Sequence, residues 1–364
     1  SSDIRISEVY SYCTSHGMCQ LATDVNASAW GHPRVLLSVR NINGDEVATF
    51  HLPLSTTVDA VKQRLQHQLG VPFFAQELIA GVQRPADSDV IGSLPKPRML
   101  TLVVLPLEPT QSRELLDAAG RMDLESVSAA LCARADPNIR DERGLPPLFR
   151  ACRHGDCELA RRLCEAGADA SAVASDGATP LFVAARCGHV GAVRLLCELR
   201  AAPSAAMSDG STPMLLACQM GHASIVQYLC EVKGDKDRPR LDGATPLFFA
   251  AGEGHLEIAR ILCEYAGADV HARSMDGATP VFVAAQQGHA RCCELLCRAG
   301  ASSDAARGDG VTPLLSTVFG GHAATASALL AARSDLRRAL RGFTPLDLAE
   351  RRGHAEVAGL LRRH

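Results

Sequence analysis

The stretch DGATPLFVAA at residues 176–185 decides the fold of this chain. It returns with small changes at residues 242–251 and 276–285. The Thr-Pro pair inside it recurs six times, and a Gly-His pair follows each copy in fixed phase, at a spacing close to 33 residues. Such a period predicts a stack of similar structural units. The Thr-Pro pairs begin at residues 179, 212, 245, 279, 312 and 344, and the Gly-His pairs at 188, 221, 254, 288, 321 and 353.

Each recurring residue type has a local mechanical reason. Asp-Gly suits a turn that needs positive φ, and a threonine before proline supplies an N-cap hydroxyl next to a residue already set for the first helical turn. Gly188 suits the left-handed position that ends a short helix. The apolar spacing from Val190 to Leu196 then predicts a second helix. We therefore predict a unit of turn, helix, short loop and helix.

Residues 111–364 resemble the ankyrin-repeat family, because Thr-Pro-Leu, Ala-Ala and Gly-His recur together with the Gly-Ala-Asp turns at residues 167–169 and 267–269. The resemblance implies an α solenoid of helix-turn-helix units with β-hairpin-like turns, about eight repeats with both ends counted. The stack proper is predicted over residues 141–364. Residues 112–140 lack Thr-Pro and are interpreted as the N-terminal capping repeat.

Two departures from the family pattern carry predictions. The family usually has histidine after Thr-Pro-Leu, and this chain has apolar residues there, so we expect apolar packing in place of a polar contact. The charged connection at residues 233–240 should protrude, either as a contact loop or as a solvated insertion. The apolar positions are Phe149, Phe182, Leu215, Phe248, Phe282 and Leu315.

Residues 34–107 lack this period and predict a hairpin around Asn43-Gly44, a helix capped by Thr57, and further strands. This order resembles small α+β ubiquitin-like domains of the β-grasp fold. The resemblance implies a built-in docking unit, and it places Ile42, Ile79 and Val103 at the apolar patch through which ubiquitin is read. A functional patch and scattered surface apolarity both stay open at this point.

Residues 1–33 show no convincing periodicity, and we expect an extension that is flexible or partly ordered. Cys13, His16 and Cys19 suggest a metal site, but a fourth ligand at zinc spacing is missing. Unrelated thiols are the preferred interpretation. We therefore expect neither a metal nor a cofactor.

Charge, hydropathy and cysteine usage limit the function further. The formal net charge of −3 gives no basic field for nucleic acid, and no apolar run is long enough for membrane insertion. The 14 cysteines largely follow the repeat and do not form a dense disulfide framework. These features predict an intracellular protein, cytoplasmic or nuclear.

The repeating cysteines and histidines favour structure over catalysis. Cysteines recur near the end of each second helix, where a thiol packs as a small hydrophobe, and we expect neighbouring sulfurs to lie too far apart to bond. Histidines recur at the start of each second helix, which predicts local hydrogen bonding, since a catalytic site would be unique. Those cysteines are Cys132, Cys164, Cys197, Cys230, Cys263 and Cys297, and those histidines are His189, His222, His255, His289, His322 and His354.

The sequence therefore predicts a non-enzymatic adaptor or scaffold, with ubiquitin-pathway factors as candidate partners through the N-terminal domain. A structural spacer subunit and an enzyme hidden in the extension are the alternatives. The ankyrin resemblance implies partner binding on a concave face of turn tips and first-helix ends, where aspartates at the tips favour a partner with basic side chains. The predicted contacts are Arg153, His154, Arg186, Asp209, Gln219, Met220, Glu253, Gln286, Gln287, Phe319 and Arg351.

Overall fold

The computed structural model describes residues 19–25, 34–41, 46–53, 55–69, 76–80, 90, 100–104 and 108–364. The chain divides into two compact units. The first unit comprises Ser1–Ala151 and Glu158–Asp169, and the second comprises Cys152–Cys157 and Ala170–His364.

The first unit contains a five-stranded sheet in the order β3-β2-β1-β5-β4, in which all neighbouring strands are antiparallel. The predicted hairpin is β2 with β3, and Leu37 lies opposite Phe50. Strand β1 falls in the stretch where the sequence showed no periodicity, and it pairs with both β2 and β5. The strands are β1 Cys19–Val25, β2 Arg34–Asn41, β3 Glu46–Pro53, β4 Gln76–Ala80 and β5 Leu100–Val104.

Helix α1, Val58–Leu69, follows the hairpin as predicted. Its N-terminus is capped by Thr57, whose Oγ1 accepts from the Ala60 N–H at 3.3 Å. Val58 and Val61 are fully buried. The order of hairpin, helix and strands is thus confirmed, while the β-grasp assignment of residues 34–107 stays a prediction.

Eight helix pairs follow, and we number them as repeats 1 to 8 in chain order. The first helix of each pair begins at a proline, and a short loop leads to the second helix. The pairs are α2 Pro109–Arg121 with α3 Leu124–Cys132, α4 Pro147–His154 with α5 Cys157–Glu165, α6 Pro180–Cys187 with α7 Val190–Glu198, α8 Pro213–Met220 with α9 Ala223–Glu231, α10 Pro246–Gly252 with α11 Leu256–Arg260, α12 Pro280–Gln287 with α13 Ala290–Arg298, α14 Pro313–Gly320 with α15 Ala323–Ala331, and α16 Pro345–Arg351 with α17 Ala355–Arg363.

The predicted starts and ends of the first helices are confirmed. In repeat 3 the Thr179 side chain accepts from the Phe182 N–H at 3.2 Å, and all six threonines of Thr-Pro pairs cap in this way. Gly188 ends the helix with φ 84°. In repeat 8 Asp347 also bonds back to the Thr344 N–H and completes a capping box.

In the second unit each first helix packs on the first helix of the next repeat, and second helices pack in the same way. The apolar residues that replace the family's histidine lie in this interface. Phe182, Leu215, Phe282 and Leu315 expose 5% or less of their surface, whereas Phe248 is half-buried. The predicted apolar packing is confirmed at these positions.

Repeat 5 contains one more residue than repeats 3, 4 and 6, because its Thr-Pro pair lies 34 residues before the next one. The extra residue is absorbed at the end of the second helix, where Ile261–Tyr265 forms a π-helical turn directly after α11. A π-turn accommodates one residue without breaking the helix. The insertion leaves the Tyr265 side chain 67% exposed.

The charged connection at residues 233–240 does not protrude as an insertion, which corrects the prediction. It has the same length as its counterpart in repeat 3. Both neighbouring repeats hold it: the Asp235 N–H donates to Ser204 Oγ at 2.8 Å, and Asp237 Oδ1 accepts from the Asp269 N–H at 2.9 Å. Its charged residues therefore replace the Gly-Ala-Asp turn in a connection of ordinary length.

In five of the six Gly-His pairs the histidine bonds to the preceding repeat and not locally, so the prediction of local hydrogen bonding is wrong at these positions. His222 Nε2 lies 3.1 Å from the Arg186 carbonyl oxygen, two residues before Gly188. Because a carbonyl oxygen can only accept, Nε2 carries the proton. We call this contact, with the glycine beneath the ring, the Gly-His interlock. It recurs as His189 with Arg153, His255 with Gln219, His289 with Gly252, and His322 with Gln286.

The interlock needs glycine for a second reason besides its left-handed φ. A Cβ at Gly188 would lie 2.7 Å from the His222 ring, closer than side-chain carbons approach. Gly155, Gly221, Gly254 and Gly288 face the next histidine in the same way. The ring therefore occupies the space that any other residue would fill.

We predict that Gly188→Ala destabilises the chain more than Gly267→Ala. Both glycines have positive φ, 84° and 64°, so both substitutions strain the backbone. The strain costs about 1–2 kcal/mol. Only Gly188 also lies against a histidine, since nothing lies within 4 Å of a Cβ at Gly267. Displacing the ring should add about 1–3 kcal/mol, measurable as a lower urea midpoint.

The matched control is the same substitution in a His222→Ala background. Without the ring, Gly188→Ala should cost only the backbone strain and approach the cost of Gly267→Ala. An excess of the same size in both backgrounds would contradict the interlock.

Candidate protein-binding face

The turn tips and the C-terminal ends of the first helices in the second unit form what we call the tip-helix face. The Gly-His interlock fixes the backbone of one row of residues on this face. Each carbonyl that accepts a hydrogen bond from a histidine belongs to a residue of the tip-helix face. Arg153, Arg186, Gln219 and Gln286 are anchored in this way. In the last interface Arg352 Nη1 donates to the Phe319 carbonyl at 3.3 Å. The structure thus brings five predicted contacts into one row.

Most predicted contact residues are accessible. Gln219 and Phe319 are the two that are half-buried. Phe319 packs against the buried cluster of Phe282 and Leu315, and the Arg352 guanidinium lies over its ring at 4.8 Å. Phe319 therefore contributes to packing and supports an arginine. The exposed residues are Arg153, His154, Arg186, Asp209, Met220, Glu253, Gln286, Gln287 and Arg351.

Main-chain hydrogen bonds join successive tips. The Leu241 N–H donates to the Asp209 carbonyl at 2.9 Å, and the Met275 N–H donates to the Asp242 carbonyl at 2.8 Å. The Gly308 N–H donates to the Asp276 carbonyl at 2.9 Å. Side chains at neighbouring tips are consequently held at a fixed separation.

The tip aspartates have partners within the chain, which weakens the expectation that they attract a basic partner. Asp209 accepts from the Ser211 N–H and hydroxyl, both at 2.8 Å. Asp242 pairs with Arg240, and Asp309 accepts from Arg307 Nη2 at 2.6 Å. These arginine hydrogen bonds lower the pKa of Asp242 and of Asp309. The tip carboxylates therefore mainly stabilise the turns through bonds within the chain.

Sequence reasoning missed two large apolar side chains on the tips. Leu241 is 72% exposed and Met275 is 82% exposed, and Met220 in the same part of the stack is 47% exposed. A signal was available, because the residue before Asp-Gly is Ser175 or Ser208 in the preceding repeats. Leu241 and Met275 are large side chains at a position that contributes nothing to packing. They are therefore candidate contacts for a partner protein.

Four arginines of the second unit lie over phenylalanine rings on or beside this face. A stacked guanidinium keeps its orientation while its N–H groups stay available in the ring-parallel plane. The sequence did not indicate these pairs, and two of them join different repeats. They are Arg240 with Phe249 at 4.8 Å, Arg307 with Phe282 at 5.1 Å, Arg351 with Phe343 at 3.9 Å, and Arg352 with Phe319 at 4.8 Å.

A family model described as ankyrin repeats (3 copies) matches residues 115–207, 199–274 and 281–364. The chain belongs to the ankyrin-repeat family. Ankyrin repeats generally mediate protein–protein interactions, so the tip-helix face of these ankyrin repeats is a protein-binding candidate. A comparison with curated proteins finds no match. In the described ranges, no helix has the length and apolarity needed to span a membrane.

Outside the ankyrin repeats, the predicted apolar patch is described only in part. Ile79 lies in β4 opposite Thr101, and Val103 lies in β5 opposite Glu77. Ile42 lies outside the described residues. The patch stays a prediction.

Among the residues whose side chains the structure describes, 12 cysteines are free thiols. Five of the six cysteines near the second-helix ends are half-buried, which agrees with the predicted packing role, whereas Cys132 is exposed and departs from it. Burial raises the pKa of Cys164 to about 12 and the pKa of Cys197, Cys263 and Cys297 to about 11. Since the thiolate is the nucleophile, these ankyrin cysteines are chemically quiet at neutral pH.

We predict that iodoacetamide at pH 8 modifies Cys132 of the native protein before Cys197 or Cys297. Cys132 is exposed, whereas a pKa of about 11 leaves Cys197 and Cys297 almost wholly protonated. The difference should be on the order of a hundredfold, measured by peptide mass mapping over time. Urea-unfolded protein is the control, in which the rates should converge. Equal native rates would contradict the packing role.

Proposed function

We propose that this ankyrin-repeat protein is an adaptor that holds a partner protein against its tip-helix face. The observation that carries the proposal is the exposure of Met220, Leu241 and Met275 in the consecutive repeats 4, 5 and 6. Exposed apolar side chains that the fold does not need mark interaction sites, and methionine is enriched at interface centres. The partner would bury this apolar centre.

The polar residues on either side of the centre support the same proposal. Arg186 in repeat 3 and Gln286 in repeat 6 are exposed, and their backbones are fixed by His222 and His322. A rim of polar groups around an apolar centre is the usual composition of a protein interface. Because these backbones are already fixed, less conformational entropy is lost when a partner binds. We propose Arg186, Met220 and Gln286 as contacts, with Leu241 and Met275 added by the structure.

The test is a triple variant, Met220→Ser, Leu241→Ser and Met275→Ser. A matched control, Leu199→Ser with Tyr265→Ser, removes exposed apolar side chains at the ends of second helices. Cross-linked partners captured by the parent chain should be depleted about tenfold or more by the triple variant, and the control should retain them. Melting temperatures should stay close to that of the parent.

Two outcomes oppose the adaptor. Equal depletion by both variants would mean that capture depends on general apolarity and not on this face. Capture of no specific protein by the parent would favour the alternative of a structural spacer.

We also propose that residues 34–107 are a ubiquitin-like docking module that links the adaptor to ubiquitin-pathway factors. The order of hairpin, helix and strands in the described residues supports this. The free thiols support a reducing compartment, cytoplasmic or nuclear. Titrating labelled residues 1–108, which include strand β1, with ubiquitin-binding domains should shift the resonances around Ile79. Unmoved resonances there would end the proposal without affecting the ankyrin face.

A further inference from the structure

Repeat 8 carries a charge that the rest of the chain does not. Residues 333–364 contain eight arginines and four carboxylate side chains, a formal excess of four positive charges. The whole chain has a formal net charge of −3, so residues 1–332 carry −7. Repeat 8 is therefore a basic region on an otherwise acidic protein.

The turn tip of repeat 8 carries a positive charge where the other tips carry a negative one. Five tips of the second unit place aspartate before glycine, whereas the last has Arg341 before Gly342. Arg341 is exposed and has a left-handed φ of 53°. In the described part of the chain, no hydrogen bond or ion pair engages its side chain. Its guanidinium is available to a ligand.

Two further arginines beside this tip are held in fixed orientations. Arg351 lies over the Phe343 ring at 3.9 Å, and Arg352 lies over the Phe319 ring at 4.8 Å while donating to the Phe319 carbonyl. Stacking restricts the guanidinium plane and leaves in-plane N–H groups for a carboxylate, which accepts them in pairs. The arginines are thus arranged in advance of binding.

Two carboxylates of this repeat are engaged mainly by other groups, although, besides the hydrogen bonds from Thr344, the charge of Arg351 also helps to lower the pKa of Asp347. Asp347 accepts from the Thr344 N–H at 2.8 Å and from its hydroxyl at 2.6 Å. Glu350 pairs with Arg362. Within the described ranges, no ion pair joins Arg341, Arg351 or Arg352 to a carboxylate.

We propose that Arg341, Arg351 and Arg352 bind a segment of the partner protein that is rich in aspartate and glutamate. The inference rests on the proposed function only in that both place the partner on the tip-helix face. An end repeat needs a polar surface for solubility, but either sign of charge would serve that purpose. Three exposed guanidinium groups, two of them stacked on phenylalanine rings and none in an ion pair with a described residue, instead specify an anion.

A short acidic segment fits this site better than a nucleic acid. A long polyanion would extend from repeat 8 along a chain whose remaining residues carry −7 and would be repelled. A short segment confined to repeat 8 meets only the basic region. Its neighbouring residues can then reach the apolar centre of repeats 4 to 6.

The test measures binding of a fluorescein-labelled peptide of alternating glutamate and alanine to the full chain. The double variant Arg341→Gln and Arg351→Gln should weaken binding about tenfold or more. A matched control, Arg161→Gln with Arg291→Gln, removes the same charge from exposed second-helix positions and should leave binding unchanged. Arg341→Gln alone removes no internal contact and should still weaken binding, so a loss cannot be ascribed to unfolding.

Several results would overturn the inference. One is that the glutamate peptide does not bind the chain, and another is that the double variant and the control lose peptide affinity equally. A third is that a single-stranded oligonucleotide or anionic lipid vesicles bind more tightly than the peptide. The serine variants of Met220, Leu241 and Met275 should keep their affinity for the glutamate peptide. If those variants lose partner capture and the peptide test fails, the acidic-segment inference is rejected while the proposed adaptor function stands.

Discussion

The second unit depends on one close approach, between the glycine that ends a first helix and the histidine ring of the next repeat. The glycine meets two constraints at once, a positive φ and the absence of a Cβ where the ring lies. The Nε2–H bond to a carbonyl two residues earlier adds direction to this contact. The histidine bond joins a repeat to the preceding one in five interfaces and helps to align the two. Stability then accumulates interface by interface.

This arrangement explains how a uniform stack can carry a varied surface. The histidine bonds to a backbone carbonyl, so the side chain of the residue that owns the carbonyl is not constrained by the contact. Arginine, glutamine, glycine and phenylalanine all occur at this position in successive repeats. The contact constrains Gly188 and His222, whereas the residue type varies at Arg186 and its equivalents. Exposed residues of the tip-helix face such as Arg186 can therefore change at little cost to the fold, whereas Phe319 also packs against the core.

The chemistry of that face changes along the stack. Repeats 4 to 6 expose Met220, Leu241 and Met275, whereas repeat 8 exposes unneutralised arginines. The tip aspartates between them are largely occupied by serine, arginine and main-chain partners. A partner that matches both regions would combine apolar side chains with a run of carboxylates. Apolar burial would supply affinity, and charge would supply orientation and the rate of encounter.

The sequence by itself determined the features whose causes lie within a few residues. Thr179 caps a helix by accepting from an N–H three residues away, Gly188 ends that helix, and apolar residues after Thr-Pro-Leu enter the core, so all three could be predicted. Only the tertiary structure decided the partner of His222, 36 residues earlier, and the pairing of β1 with both β2 and β5. It also decided that tip aspartates are occupied and that Leu241 and Met275 stay exposed. Local propensities specify each helix, but contacts between distant residues depend on how the repeats stack.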